Sequence, residues 1–199
     1  LSWTTDLTPP TVSILSPAAN GSVILVSQIS NYSISGQCSE SDKLVTLAGA
    51  ISQTATCSAG AWSTTLDLSG MADGVISLIA SQTDAAGNTT TTPVRTVIKD
   101  TTTPVIAINT PSSLQGHASN SSVSWALTEL NVAANTNFQV DLYDGSNWSS
   151  IGTVAATAGV NSGQLYTLSN FLTPLSDTTH AKIRVTLTDA AGQSTTAMT

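Results

Sequence analysis

Three groups of side chains in this sequence have the types and spacing to do chemistry. The first is a set of oxygen donors, Asp6, Asp84, Asn88, Asp100 and Asp189, which recur at the ends of repeated segments. Hard cations take carboxylate and carbonyl oxygens, so Asp84, Asp100 and Asp189 are candidate calcium ligands. A local role competes with that one. An Asp shortly before a turn glycine accepts backbone N–H groups and locks the hairpin, and each segment end offers fewer carboxylates than a calcium site usually gathers. The second group is Cys38 and Cys57, which close a loop of about 20 residues. Without a Cys-x-x-Cys pair or a histidine cluster, metal and redox chemistry are disfavoured, leaving a structural disulfide or two buried thiols. A disulfide would contribute about 3 kcal/mol by the chain-entropy estimate and place the chain in an oxidising compartment, secreted or displayed at a surface. The third group is Tyr143 and Trp148, aromatic rings that could stack on a sugar; their alternative is ordinary half-buried strand packing.

Enzymatic patterns are missing: there is no His-Glu-x-x-His, Gly-x-Ser-x-Gly, phosphate loop or dinucleotide fingerprint. His117 and His180 fall in loop segments and read as exposed loop histidines. The chain is therefore expected not to be an enzyme. Asn-x-Ser/Thr triplets start at Asn20, Asn31, Asn88, Asn120 and Asn147. In a chain roughly one-third Ser and Thr, close to that many arise by composition alone, so they carry little weight as glycosylation sites.

The elements that must hold these groups follow from composition and pattern. Of 199 residues, 9% are charged, with 5 Lys plus Arg against 12 Asp plus Glu and a net charge of −7. An average soluble domain has about 25% charged residues. Nucleic acid is excluded as a partner, because phosphate neutralisation needs clustered cations. No apolar run approaches the ~18 residues of a membrane-spanning helix. Disorder is disfavoured too, since 40% of residues are apolar and mean hydropathy is +0.16.

Apolar residues alternate with polar ones at Val45/Leu47, Trp62/Thr64/Leu66/Leu68, Ile76/Leu78/Ala80, Val123/Trp125/Leu127 and Ile183/Val185/Leu187. That period of two predicts half-buried strands, and puts Trp62 and Trp125 in the core. Turn signals such as Asn20-Gly21, Asp73-Gly74 and Asp144-Gly145 separate them. Three segments recur in the same order. Asp6 to Pro17 matches Asp100 to Pro111, Thr83-Asp84-Ala85-Ala86-Gly87-Asn88 matches Thr188-Asp189-Ala190-Ala191-Gly192-Gln193, and Ile34 to Glu40 matches Val123 to Glu129 more weakly. This is a tandem repeat. The expected fold is all-β: two tandem antiparallel β-sandwiches, with residues 1–6 the tail of a preceding segment, 7–100 a first domain and 101–199 a second, both of the immunoglobulin-like type by the resemblance given next. The short last strand at 195–199 leaves an edge that a partner could cover.

The residues Gly36-Gln37-Cys38-Ser39-Glu40, Gly60-Ala61-Trp62-Ser63-Thr64, Leu68 to Gly74, Asp84 to Asn88 and Asp100 to Pro104 resemble bacterial immunoglobulin-like domains of the tandem type found in large surface proteins and adhesins. The resemblance spans residues 7–100 and is weaker over 101–199, where Phe138 to Trp148 forms a different middle. It implies a disulfide between Cys38 and Cys57, because members often carry a cysteine pair so placed. It also implies an extracellular or cell-surface location and neighbouring repeats of the same chain as partners. The expected role is a spacer in an adhesin or fibre, with a glycan or protein of a target cell as the contact. The alternatives are a carbohydrate-binding module with its site on the second domain, or accessory domains of a secreted hydrolase.

Overall fold

The computed structural model describes residues 5–110, 121–171 and 181–199. The chain divides into two compact units, Leu1–Asp100 and Thr101–Thr199. Each is an antiparallel β-sandwich.

In the first unit the strands are β1 (Ser22–Val23), β2 (Tyr32–Gln37), β3 (Leu44–Gly49), β4 (Gln53–Thr56), β5 (Ala61–Leu66), β6 (Gly74–Thr83), β7 (Thr89–Thr91) and β8 (Arg95–Lys99). A six-residue 3₁₀ helix, Val26–Asn31, leads into β2. The larger sheet runs β1-β8-β6-β3-β4, with β7 also on β6, and the smaller pairs β2 with β5. The chain before β1 joins the smaller sheet, where Ser13 and Leu15 donate to the carbonyls of Gln37 and Ser35. It then changes sheets, because Pro17 has no N–H with which to extend the ladder, and β1 pairs in parallel with β8. This is the strand order of an immunoglobulin-type sandwich.

The alternation seen in the sequence supplies the core between the sheets: Ile34, Val45, Leu47, Trp62, Ile76, Leu78, Ala80 and Val97 are buried. One cation is buried with them. Lys99 is 4% exposed, and its Nζ donates to the Met71 carbonyl and stands 3.7 Å from Asp73 Oδ1. It fastens β8 to the loop before β6.

Cys38, just past β2, is bonded to Cys57, just past β4. The link therefore ties the smaller sheet to the larger one at the sandwich end, and both cysteines are buried. With a separation of 19 residues, its loss is expected to lower the stability of the first unit by about 3 kcal/mol. Urea unfolding of the Cys38→Ser/Cys57→Ser protein measures this; an unchanged midpoint for the first unit would contradict it.

The second unit contains β9 (Val105–Thr110), β10 (Ser121–Val132), β11 (Asn137–Tyr143), β12 (Trp148–Ala155), β13 (Gly159–Phe171), β14 (Lys182–Thr188) and β15 (Ser194–Met198). Its sheets are β13-β10-β9 and β12-β11-β14-β15, the same order as in the first unit. The core is aromatic. Trp125 meets Phe138 edge-on with ring centroids 5.1 Å apart, Tyr166 lies 6.3 Å from Trp125, and Phe138 and Tyr166 are 4.7 Å apart. Because Phe138 is on one sheet and the other two rings on the facing sheet, this cluster joins the layers. Tyr166 keeps its hydroxyl satisfied by donating to Asn161 Oδ1 at 2.6 Å and accepting the Thr157 N–H at 3.0 Å.

Candidate functional site

The repeated Asp-Ala-Ala-Gly segment is the turn after β6 and after β14. In the first unit Asp84 Oδ1 accepts the N–H groups of Ala86 and Asn88 at 2.8 and 2.9 Å, and Oδ2 accepts Asn88 Nδ2 at 2.8 Å. In the second, Asp189 Oδ1 accepts the Gln193 N–H at 2.8 Å. Gly87 and Gly192 take φ of +94° and +86°, a left-handed conformation that glycine adopts without steric cost. The residue after each glycine also reaches its own unit's first segment. Asn88 Nδ2 donates to the Asp6 carbonyl at 3.1 Å, and Thr103 Oγ1 donates to Gln193 Oε1 at 3.0 Å. The turn thus pins the lead-in segment to the last hairpin in both units.

These hydrogen bonds hold the Asp84 carboxyl below the usual carboxylate value, the Asn88 side chain having the largest influence. Asp144 is lowered by the backbone of Asn147 and Ser146, and Asp67 by the hydroxyl and amide of Ser69. A carboxyl whose pKa is lower in the folded state adds stability above its unfolded value, near 4, and loses it as pH falls through the folded value. Thermal stability is therefore expected to fall on acidification below about pH 4. Asp84→Ala should lower the melting midpoint at neutral pH by a few degrees and Asp84→Asn by less, and both should flatten that acid slope. Melts between pH 2 and 7 check this, and an unaltered slope in Asp84→Ala would refute it.

Asp84 and Asp189 stand in different turns, and Asp100 is wholly buried at the end of the first unit. Among the described residues no three His, Cys, Asp or Glu side chains gather as a metal site would require. His117, His180 and the triplet at Asn120 lie outside the described residues. A depression along Val12–Ile14 and Thr92–Arg95 in the first unit is lined without a carboxylate, imidazole or thiol. In the second unit a largely apolar one lies between Val105 and Val160, with Glu129 on its wall.

Tyr143 and Trp148 do come together. They face one another across the β11–β12 hairpin, with ring centroids 5.3 Å apart. Asp144 Oδ1 closes that hairpin by accepting the Ser146 and Asn147 N–H groups, both at 2.8 Å. Sequence reasoning missed the rest of the arrangement. The Arg184 guanidinium carbon lies 4.3 Å from the centre of the Trp148 ring, while Arg184 Nε and Nη2 donate to Asp141 Oδ2 at 2.9 and 2.7 Å. Gln139 Nε2 donates to Asp141 Oδ1 at 2.9 Å and to Ser150 Oγ at 2.7 Å. Arg184 is over 40 positions from Asp141, and only the β11–β14 register makes them neighbours.

The model of the bacterial Ig-like domain (group 3) family matches residues 60–197. The chain belongs to this family. Bacterial Ig-like domains are typical of surface or secreted multidomain proteins, and together with a disulfide they are typical of extracellular ones. They are usually non-catalytic and also occur as accessories to enzymes. No helix among the described residues is long and apolar enough to cross a membrane. No curated protein sequence matches the chain. Similar solved structures include the fibronectin(III)-like modules of Clostridium thermocellum CbhA, at 16% identity over 94% of this chain and 91% of that one, with a TM-score of 0.46. Dimeric latent PorU from Porphyromonas gingivalis is similar at 13% identity, 96% and 20% coverage and a TM-score of 0.34. The FN1–FN3 domains of chicken CNTN1 give 11%, 90% and 65%, and 0.33.

Proposed function

We propose that this bacterial Ig-like chain is a non-enzymatic, extracellular segment of a cell-surface or secreted adhesin or fibre, working as a stiff spacer that carries a contact surface. Its domains are taken as 7–100 and 101–199. The observation that carries this reading is the pinned lead-in: Asn88 holds Asp6, and Gln193 accepts from Thr103. Each of these contacts holds a lead-in segment to the last hairpin of its own unit, as the repeated element of a tandem spacer would be held. A surface with few charges and many hydroxyls suits an exposed spacer, since Ser and Thr give strands a polar outer face without strong fields.

Small-angle scattering tests it. The radius of gyration should lie well above the ~16 Å of a compact 199-residue body, and a flexible Gly/Ser insert between Asp100 and Thr101 should broaden the distance distribution. If the native protein is already as broad as the insert variant, the stiff-spacer reading fails.

A second reading is favoured by a specific observation in the second unit. Trp148 is 36% exposed on the divergent hairpin and stands against Tyr143 and Arg184, as a carbohydrate-binding surface would present it.

A further inference from the structure

The cross-strand register defines a continuous surface on the β12-β11-β14-β15 sheet. Phe138, Val140 and Leu142 point inward and are buried, so the intervening Gln139, Asp141 and Tyr143 point outward. Trp148, Tyr143 and Lys182 form one outward row, and Ser150, Asp141, Arg184 and Met198 form the next. Trp148 is on β12 and Arg184 on β14, with β11 between them. Two strand spacings are about 10 Å, yet the guanidinium carbon is 4.3 Å from the ring centre. The two side chains therefore reach toward one another across β11. The guanidinium lies over the indole, Tyr143 stands 5.3 Å from it, and Trp148 remains 36% exposed.

Arg184 is a fixed support. Asp141 grips it through two hydrogen bonds, and Gln139 and Ser150 hold Asp141. The Asp141 side chain is only 11% exposed although it stands on the outward side of the sheet, because these neighbours cover it. The result is an aromatic plate held in place and ringed by amide, hydroxyl, guanidinium and carboxylate groups. Such a plate is matched to a pyranose ring, whose axial C–H face packs on an aromatic ring while its hydroxyls pair with surrounding polar groups. Its charges are balanced: Asp141 offsets Arg184, and Asp144 and Lys182 flank the hairpin with opposite signs. In a chain of net charge −7, nothing attracts a polyanion.

We propose that this outer face of the second unit, with Trp148 lying over Arg184, is a binding platform for a neutral polysaccharide. The proposal rests on the carbohydrate-binding reading and gives it a ligand class and a supporting set, Arg184, Asp141 and Gln139. Without Arg184 the indole loses its fixed pose, so Arg184 is a positioning residue for Trp148.

The test is native affinity electrophoresis of the whole chain in gels containing laminarin, galactomannan, xylan or dextran, with pull-down on microcrystalline cellulose and chitin. Retardation or capture by at least one of these polymers is expected, weakened at least 10-fold in Trp148→Ala and retained in part in Trp148→Phe. Arg184→Met should weaken binding several-fold and shift the part of the tryptophan emission that Trp148→Phe removes, whereas Leu165→Thr on β13 should leave both unchanged. Thermal melts of each variant exclude unfolding as the cause. Binding that Trp148→Ala leaves intact overturns the platform while sparing the carbohydrate reading. No binding to any of the six polymers, or Trp148-dependent capture of a protein in their place, overturns both.

Discussion

Replacing Gly36 by alanine is expected to destabilise the first unit by about 2–6 kcal/mol. Gly36 is buried in β2, and a Cβ placed there would lie 1.8 Å from the Ser13 carbonyl oxygen, 2.8 Å from its carbon and 2.7 Å from Trp62 Nε1. The first two are backbone atoms of a segment fixed to β2 by hydrogen bonds on either side. The third belongs to an indole that donates to that same Ser13 oxygen at 3.1 Å. No rotamer change relieves the clash, so the lead-in segment or Trp62 must move. Overpacking of a core costs about 1–3 kcal/mol, and orphaning the buried indole N–H adds about 1–3. Hydrogen exchange of the full chain checks this by region. Amides of β2, β5 and residues 12–16 should lose protection while those of β10, β11 and β14 keep theirs. Native-like protection at β2 and β5 would sink the prediction.

Trp125→Ala should cost the second unit a similar amount, about 3–5 kcal/mol, the usual range for emptying a buried aromatic site. Trp125 has no exposed surface and is the ring that both Phe138 and Tyr166 touch. Its removal opens a void between the sheets. A finer contrast separates packing from hydrogen bonding. The Trp125 Nε1–H has no hydrogen-bond partner among the described residues, whereas that of Trp62 has Ser13. Trp62→Phe is therefore expected to cost more than Trp125→Phe, because only the first takes a donor from a partly buried carbonyl. Denaturant unfolding of the two variants, followed by region-resolved exchange, gives the comparison; equal losses would contradict it.

The residues through which the family can be recognised serve the scaffold. Gly36 makes room for the lead-in segment, Trp62 fills the core and bonds Ser13, the Met71 carbonyl accepts from Lys99, and Asp84 and Asn88 lock the turn and its neighbour. Of these, the turn aspartate recurs in the second copy as Asp189, which locks its own turn in the same way. The divergent stretch from Phe138 to Trp148 is free of those duties on its outward side, and there the structure assembles its aromatic and charged cluster.

Composition and period determined the class of fold. Alternation at Val45/Leu47, Ile76/Leu78/Ala80 and Ile183/Val185/Leu187 marks one buried face on each strand, because side chains on a strand point to opposite faces in turn. The Asp-Ala-Ala-Gly segments were legible for a similar reason, since the Asp and the positive-φ Gly act within a few residues of one another. The 3₁₀ helix at Val26–Asn31 was not, because Val-Ser-Gln-Ile carries neither a helical stripe nor a side-chain cap. The switch of the first strand between sheets and the parallel pairing of β1 with β8 depend on which edge is open, a property of the assembled sandwich. Trp148 and Tyr143 could be named from the sequence because they flank one hairpin. Arg184 and Asp141 could not, since a strand's own pattern says which side a residue faces but not which strand lies beside it. The sequence by itself determined two Ser/Thr-faced sandwiches and their turns, through alternation within each strand and hydrogen bonds within each turn. Register across β12, β11 and β14 decided the rest, turning an exposed tryptophan into a plate held by an arginine from a distant strand.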